Sequence, residues 1–232
     1  MKLRARHFVV AMLLAVAFVL PSAGQPANDP SRWAGVISSF DKNANLAPQN
    51  AILLTGSSSF ARWLTMEKDL EPLTVIPRGF GGSTMADVLH YVDRVVISYK
   101  PRAVVIYEGD NDTFHGVAPE TIVEQLKEIV SKIHDALPES RIYILSVKPS
   151  LARTKVWDEA RETTELYKAL AGTDRRLYFI DVATPLLNSD GSVMDDVFVD
   201  DGLHLNDKGN RIWAAAIKSV LMRYESKYEM TN

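Results

Sequence analysis

A run of three serines has the residue type and setting that nucleophilic catalysis needs. Ser57, Ser58 and Ser59 directly follow a short apolar run that ends at Gly56. A serine on a tight turn between a strand and a helix exposes its hydroxyl and leaves its backbone N–H unpaired, which suits a nucleophile whose attack creates an oxyanion. The same run also fits a helix cap or a phosphate cradle. It does not fit the G-x-S-x-G nucleophile elbow, because Phe60 occupies the second glycine position.

An aspartate and a histidine near the C-terminus have the spacing of a general-base pair. Asp201 and His204 lie three residues apart in a polar segment that precedes an amphipathic stretch. At that spacing the carboxylate can bond one imidazole nitrogen and fix the tautomer, so the other nitrogen can act as a base near neutral pH. A loop histidine beside an acid also occurs without any function, so this pair does not decide the question alone.

Two further segments could supply donors to an oxyanion. Gly79, Gly81 and Gly82 fall within four residues, and glycines allow the backbone to approach a ligand closely. Asn111 follows another apolar run and could present its side-chain amide N–H to the same point. A flexible turn capped by Ser83 or Thr84 explains the glycines equally well, and an ordinary acidic turn explains the segment around Asn111.

Five short apolar runs alternate with longer amphipathic stretches. The runs lack polar alternation, as expected of parallel strands that are covered on both faces. Their starts lie 22 to 39 residues apart, which leaves room for a helical crossover each time. This pattern predicts an α/β fold, a three-layer α/β/α sandwich around a five-stranded parallel sheet. The predicted strands are Ala51–Thr55, Leu73–Ile76, Ala103–Tyr107, Ile142–Ser146 and Leu177–Asp181.

The amphipathic stretches predict the helices between these strands. One helix is predicted to begin near Pro119 and to end before Pro138, because apolar residues recur at helical spacing between them. In sheets of this kind, ligands bind beyond the carboxyl ends of the strands. The serine run, the glycines and Asn111 all follow predicted strands, and His204 precedes the last predicted helix. Their coincidence at one edge favours a catalytic site.

Composition narrows the function classes. The chain has 232 residues, 47% of them hydrophobic, a formal charge of -3 and no cysteine. This length suits one domain, and the charge lacks the basic excess of a nucleic-acid binder. Without cysteine there is no thiolate metal site, cysteine nucleophile or disulfide. The acidic segment Asp195–Asp201 lacks the ligand spacing of a calcium loop, so we expect neither a metal nor another cofactor.

The N-terminal residues predict an export signal. Lys2, Arg4 and Arg6 precede an apolar run from Phe8 to Leu20, and small residues up to Gly24 fit a cleavage site. The run is shorter than the roughly 20 residues of a membrane-spanning helix, although an uncleaved anchor is the alternative. Removal of residues 1–24 changes the formal charge from -3 to -6. We therefore expect a periplasmic or secreted protein without a membrane span.

The predicted organisation has three parts. Residues 1–24 form the signal peptide and residues 25–50 form an irregular lead-in with one short helix near Trp33 to Phe40. Residues 51–232 form the catalytic domain.

The order of these polar blocks resembles the SGNH (GDSL-type) hydrolase family, which is named for a serine, a glycine, an asparagine and a histidine in separate blocks. The resemblance implies a flavodoxin-like sheet and activity as an esterase, lipase, thioesterase or carbohydrate deacetylase, with no cofactor. The matching blocks are Gly56-Ser57-Ser58, Gly82, Gly109-Asp110-Asn111-Asp112 and Asp201-Gly202-Leu203-His204.

The resemblance also implies a role for each matched residue. Ser58 is the implied nucleophile, and Asp201 and His204 complete the implied triad. The Ser58 backbone, Gly82 and Asn111 form the implied oxyanion hole. Gly82 is preferred to the neighbouring glycines because it precedes Ser83-Thr84 as the family glycine precedes its polar pair.

One position departs from the usual family pattern. The common Gly-Asp-Ser is replaced by Gly56-Ser57-Ser58, a variant that is similar to the members resembling platelet-activating-factor acetylhydrolases. The predicted function is hydrolysis of a carboxylic ester, either lipid-like or an acetylated carbohydrate. The predicted partner is therefore a small-molecule or glycan ester and not a nucleic acid.

Two non-catalytic functions are compatible with the same fold. A flavodoxin-like binding protein would hold a phosphate in the serine loop, and a glycan- or acyl-binding module would carry out no reaction. Neither explains why an aspartate and a histidine stand three residues apart. Among the other residues, His115 could line a pocket beside Asn111, and Trp157 fits either a pocket or the core.

Overall fold

The five apolar runs form five parallel strands. The computed structural model describes residues 29–229. Every pair of neighbouring strands runs parallel, as the continuous apolar character of the runs predicts. The strands are β1 (Ile52–Gly56), β2 (Val75–Gly79), β3 (Ala103–Tyr107), β4 (Arg141–Leu145) and β5 (Leu177–Ile180).

The strand order places a crevice beside β1. The order is β2-β1-β3-β4-β5, which is the flavodoxin-like order that the family resemblance implies. From β1 the chain crosses to β2 on one side, and β3 then lies on the other side of β1. This reversal opens a crevice between the carboxyl ends of β1 and β3, where ligands bind in such sheets.

Helices cover both faces of the sheet and complete the predicted three layers. One face packs Leu53 and Val104 against α1, α4, α6 and α7. The other packs Leu54 and Val105 against α8 and the short helices after β1. The helices are α1 (Ala34–Lys42), α2 (Ser58–Ala61), α3 (Met66–Asp69), α4 (Met85–Val95), α5 (Asp110–Phe114), α6 (Pro119–Ala136), α7 (Trp157–Ala171) and α8 (Asp207–Glu225).

Strand boundaries agree with the prediction to within one residue except in β2. The predicted strand Leu73–Ile76 is wrong at both ends, since β2 starts at Val75 and continues through Pro77 to Gly79. Pro77 lacks the N–H that a ladder hydrogen bond needs. β2 is an edge strand, so a proline whose nitrogen faces away from β1 loses no such bond.

The lead-in forms part of the hydrophobic core. Its helix α1 packs on α4, and Ile37 is completely buried in the core on that face. The predicted signal peptide, residues 1–24, lies outside the described residues. Within residues 29–229 no helix has both the length and the apolar character to cross a membrane.

A buried ionic cluster anchors α8, whose first residues follow the predicted histidine loop. The carboxylate of Glu225 is fully buried and accepts hydrogen bonds from Arg141 Nε at 2.5 Å, Tyr143 Oη at 2.6 Å and Arg102 Nε at 3.1 Å. A buried carboxylate is tolerated when it is paired and hydrogen-bonded in this way. The cluster fixes the far end of α8 to β4 and to the segment before β3.

Candidate active site

The serine run turns sharply out of β1. Gly56 has a φ of +145°, and a Cβ atom there would overlap the backbone carbonyl of Tyr107 on β3, so only glycine fits. The Ser57 N–H donates to that same carbonyl at 3.2 Å. Ser58 then begins α2 at the carboxyl end of β1.

The three serines differ in exposure and in partners. Ser57 and Ser59 are buried, with 1% and 5% of their surface exposed, whereas Ser58 is partly exposed. Ser58 Oγ lies 2.9 Å from Nε2 of His204. Ser58 is therefore the serine of the run that the structure brings to the histidine.

His204 is held between Ser58 and Asp201. Its Nδ1 lies 2.6 Å from Oδ2 of Asp201. The other carboxylate oxygen of Asp201 accepts the backbone N–H groups of Leu203 and His204, both at 2.9 Å. The three predicted residues thus form one continuous chain of hydrogen bonds, from carboxylate through imidazole to hydroxyl.

The Asp201 carboxylate is stabilised in its ionised form. Partial burial raises its pKa, but the hydrogen bonds from the His204 ring and from the backbone N–H groups of His204 and Leu203 outweigh that effect. The result is a pKa well below the usual range for aspartate. A carboxylate that stays ionised favours the imidazole tautomer with its proton on Nδ1, which leaves Nε2 free to accept a proton.

The glycine turn at the end of β2, residues 79–82, lies beside the hydrogen-bonded chain of Ser58, His204 and Asp201. Gly82 has a φ of +84°, which disfavours residues with a side chain. A Cβ atom at Gly81 would lie 3.7 Å from Cβ of Ser58. On its other side, the turn contacts the lead-in, since a Cβ atom at Gly82 would lie 3.5 Å from Cη2 of Trp33.

Trp33 and Arg32 of the lead-in brace this turn. The Trp33 ring packs edge-on against Phe80 with centroids 5.7 Å apart. Arg32 Nη2 forms a 2.6 Å ion pair with Asp87, whose carboxylate also accepts the Thr84 N–H at 3.0 Å. Neither residue belongs to a motif that indicates a part in the site.

Asn111 reaches the same place from β3. Gly109, with a φ of +108°, turns the chain into α5, where Asn111 is the second residue. The side chain is almost completely buried. Its Nδ2 donates to the carbonyl of Ser83 at 2.7 Å, and its Oδ1 accepts from Arg153 at 2.8 Å. The turns that follow β1, β2 and β3 therefore lie next to one another at one edge of the sheet.

Two backbone N–H groups of these turns have no acceptor among the described residues. Within residues 29–229, neither the N–H of Ser58 nor the N–H of Gly82 meets an acceptor. Together with the Asn111 amide they are donors of the type that binds an oxyanion. These are the donors that the sequence resemblance implies.

Two buried ion pairs of Asp110, the residue before Asn111, were not predicted from the sequence. Asp110 pairs with Lys148 at 3.1 Å and with Arg153 at 2.5 Å. Neither Lys148 nor Arg153 belongs to a block that the family resemblance matches. Nothing in the local pattern indicated the contact, because Asp110 and Arg153 are 43 residues apart.

Glu108 is a buried carboxyl group under the glycine turn. Its Oε1 accepts the hydroxyl of Ser83 at 2.5 Å, and its Oε2 has no partner among the described residues. Burial, together with repulsion from nearby Asp112, raises the pKa of Glu108 well above its usual range. Burial likewise raises the pKa of Asp112 to about 6. Glu108 therefore holds its proton more tightly in the folded protein than in the unfolded chain.

Replacement of Glu108 by glutamine should stabilise the protein increasingly as pH rises. With a raised pKa in the folded state, the folded protein keeps a proton that the unfolded chain releases. The contribution of Glu108 to stability is therefore fully present below its unfolded pKa and is lost as pH rises towards the folded pKa. Because glutamine does not ionise, the difference in unfolding free energy between E108Q and wild type should grow by up to about 1.4 kcal/mol per pH unit.

Thermal unfolding of both proteins between pH 5 and 9 measures this difference. The matched control is Glu128→Gln, which makes the same substitution at an exposed position of α6. A difference between E108Q and wild type that stays constant across this range would show that Glu108 ionises normally.

The side chains of the remaining candidate residues form no hydrogen bond with Ser58, His204 or Asp201 within residues 29–229. His115 is exposed, and Trp157 begins α7 and packs against the core. In the acidic segment, Asp196 pairs with Lys208 at 2.5 Å. Across residues 29–229 no three histidine, aspartate or glutamate side chains are grouped so that they could hold a metal ion.

Comparison with protein families gives one match that spans most of the chain. The model of the GDSL-like Lipase/Acylhydrolase family matches residues 52–212. That range includes all the strands of the sheet and every residue of the hydrogen-bonded chain.

Comparison with individual proteins gives relatives of the same kind. The chain is 27% identical over 155 residues to the bovine (Bos taurus) platelet-activating factor acetylhydrolase IB subunit alpha1, covering 66% of this chain and 65% of that relative. The human protein matches to the same extent. The chain thus spans just under two thirds of the length of these relatives.

Solved structures share the fold. A GDSL-like lipase from Bacteroides thetaiotaomicron superposes with a TM-score of 0.66 at 18% identity, covering 85% of this chain and 98% of the other. A catalytic mutant of an acetylxylan esterase from Geobacillus stearothermophilus superposes with a TM-score of 0.62 at 15% identity, covering 76% and 94%. At such identities the likeness concerns the fold.

Proposed function

The chain belongs to the GDSL-like lipase/acylhydrolase family, also known as the SGNH hydrolases, and from this premise we propose that it hydrolyses carboxylic esters with Ser58 as the nucleophile. The observation that carries the proposal is the chain of hydrogen bonds at the carboxyl end of β1. Ser58 Oγ lies 2.9 Å from His204 Nε2, and His204 Nδ1 lies 2.6 Å from Asp201. A hydroxyl, an imidazole and an ionised carboxylate in this order form an activated nucleophile.

The first half of the proposed reaction forms an acyl-enzyme. His204 Nε2 takes the hydroxyl proton as Ser58 Oγ attacks the ester carbonyl carbon, and Asp201 stabilises the imidazolium that results. The tetrahedral intermediate collapses when His204 returns that proton to the leaving alcohol. The C–O bond to the alcohol breaks, and the acyl group remains on Ser58.

The second half releases the acyl group. His204 removes a proton from a water molecule, whose oxygen attacks the acyl carbon. When the second tetrahedral intermediate collapses, His204 returns that proton to Ser58 Oγ, the bond between Ser58 Oγ and the acyl carbon breaks, and a carboxylic acid leaves. Only residues of this chain and water take part in these steps.

We assign three hydrogen-bond donors to the oxyanion of both intermediates. The N–H groups of Ser58 and Gly82 have no acceptor among the described residues. An amide nitrogen carries two hydrogens, and Asn111 Nδ2 uses one of them on the Ser83 carbonyl, so one remains for the substrate. Donors that are already oriented need no rearrangement when the charge develops.

Two substrate classes fit this site, a lipid-like ester and an acetylated carbohydrate. Exposed apolar side chains stand near the site, among them Phe114 at the end of α5 and Val199 in the loop before Asp201. They support binding of an apolar acyl group. The fold of an acetylxylan esterase supports binding of a sugar acetate.

Hydrolysis of nitrophenyl esters from acetate to palmitate tests the function and separates the two classes. We expect release of nitrophenol by the wild-type protein and none above background by Ser58→Ala. A preference for acetate would identify a deacetylase, and a preference for long chains would identify a lipase. If the wild-type protein hydrolyses no ester of the series faster than Ser58→Ala does, the proposed function is wrong.

A further inference from the structure

An asparagine in an oxyanion site must present the correct end of its amide. Rotation of the side chain by 180° exchanges Nδ2 and Oδ1, which have nearly the same shape. Only Nδ2 can donate to an oxyanion, whereas Oδ1 would repel it. The protein therefore needs contacts that hold the Asn111 amide in one orientation.

Two partners of opposite kind hold this amide. The Ser83 carbonyl can only accept, and it lies 2.7 Å from Nδ2. The Arg153 guanidinium can only donate, and its Nη2 lies 2.8 Å from Oδ1. A rotated amide would place two donors against each other at Arg153 and two acceptors against each other at Ser83, so these contacts specify one orientation.

The Arg153 side chain is itself held firmly. Its Nη1 donates to Asp110 Oδ1 at 2.5 Å, so the two ends of the guanidinium fork bridge adjacent residues of α5. The guanidinium carbon, Cζ, lies over the ring of Phe114 at the end of the same helix, 4.6 Å from the ring centroid. The side chain is 12% exposed. A planar fork with these three contacts has little freedom to turn.

Neutralisation of Asp110 does not by itself require Arg153. Lys148 Nζ lies 3.1 Å from the other oxygen of Asp110, and the Lys148 side chain is completely buried. Lys148 and Arg153 thus both donate to the Asp110 carboxylate. The other terminal nitrogen of Arg153, Nη2, donates to Oδ1 of Asn111. The positive charge of the guanidinium draws electron density from the amide and makes the Nδ2 hydrogens better donors.

We propose that Arg153 is a positioning residue of the oxyanion site, which orients and polarises the Asn111 amide. The inference rests on the proposed ester hydrolysis, since it assigns a role within that reaction. Arg153 acts through Asn111 and does not contact the substrate carbonyl. It should therefore affect the rate of the chemical step much more than the binding of substrate.

The kinetic test compares Arg153→Ala with wild type on the nitrophenyl ester that is hydrolysed best. A hydrogen bond to a charged group is worth enough that its loss should lower kcat about 10- to 100-fold, with KM changed by less than about threefold. Arg153→Lys should recover little of the loss, because one ammonium group cannot bridge Asp110 and Asn111. Arg161→Ala, at an exposed arginine of α7, is the matched control and should leave kcat unchanged.

A double-mutant cycle distinguishes positioning from a general structural role. If Arg153 acts through Asn111, the double variant Arg153→Ala/Asn111→Ala should be no slower than Asn111→Ala alone. Guanidinium ion at millimolar concentration should also accelerate Arg153→Ala and not Asn111→Ala. If Arg153→Ala does not fold, Arg153→Gln, which keeps a donor and loses the charge, replaces it in the cycle.

The outcomes separate this proposal from the proposed function. Multiplicative losses in the double variant, or a kcat of Arg153→Ala within about twofold of wild type, would overturn the role of Arg153 and leave ester hydrolysis intact. A wild-type protein no faster than Ser58→Ala would overturn the proposed function instead.

Discussion

Replacement of Ser58 by alanine is expected to lower kcat for ester hydrolysis by about 10⁴-fold or more. The substitution removes the oxygen that attacks the carbonyl carbon, so no acyl-enzyme can form. The oxyanion donors and His204 remain and can support only the slow attack of water. Because Ser58 is partly exposed and its hydroxyl contacts His204, the fold should be retained and thermal unfolding should change little.

Ser59→Ala is the matched control for this experiment. Ser59 is the next residue of the same run and is buried at 5% exposure, and no hydrogen bond joins it to His204 within residues 29–229. Its replacement should leave kcat within a few-fold of wild type. If instead Ser59→Ala is inactive and Ser58→Ala retains activity, the nucleophile has been assigned to the wrong serine.

Replacement of Asp201 by asparagine is expected to lower kcat by about 10⁴-fold while the loop keeps its shape. Oδ1 of Asp201 accepts two backbone N–H groups, so the asparagine oxygen must take that place. Its NH₂ group then faces Nδ1 of His204. A donor there requires an unprotonated Nδ1, which puts the ring proton on Nε2. His204 can then no longer accept the proton of Ser58.

The measurement is the pH profile of kcat, with Asp200→Asn as the control. Asp200 is the adjacent exposed aspartate, and its replacement changes the local charge by the same amount without touching the imidazole. We expect near-normal kcat for Asp200→Asn. Equal losses in the two variants would indicate a general effect of charge and would contradict the assigned tautomer.

The sheet could be predicted from the sequence because burial on both faces leaves a clear signal. Runs such as Ala103–Tyr107 are continuously apolar, and that strand has the predicted bounds. The three layers follow from the alternation of strands and helices, and the flavodoxin-like sheet follows from the family resemblance; both are confirmed. β2 was misplaced because the effect of Pro77 depends on which side of the strand has a neighbour, and the local sequence does not contain that information.

The hydrogen-bonded chain was partly visible in the sequence. Asp201 and His204 interact across three residues, so their spacing alone indicates a contact. Ser58 lies 146 residues from His204, and only the expected meeting of loops at one edge of the sheet suggested that they are close. Their roles in catalysis are still predictions.

The contacts that hold Asn111 and the glycine turn in place could not be predicted from the sequence. Arg153 contacts residues more than 40 positions away, and Trp33 reaches Gly82 from a lead-in that we expected to be irregular. Such contacts depend on the packing of whole elements, and an arginine or a tryptophan outside any motif gives no sign of its partner.

The most direct test of the central claim is to locate the adduct of a fluorophosphonate probe by mass spectrometry. Such probes react with a serine hydroxyl that a neighbouring base activates. We predict one adduct per chain, on Ser58, which is absent from Ser58→Ala and strongly reduced in Asp201→Asn. An adduct on Ser57 or Ser59, or no adduct on the folded wild-type protein, would contradict the assignment of Ser58 as the nucleophile.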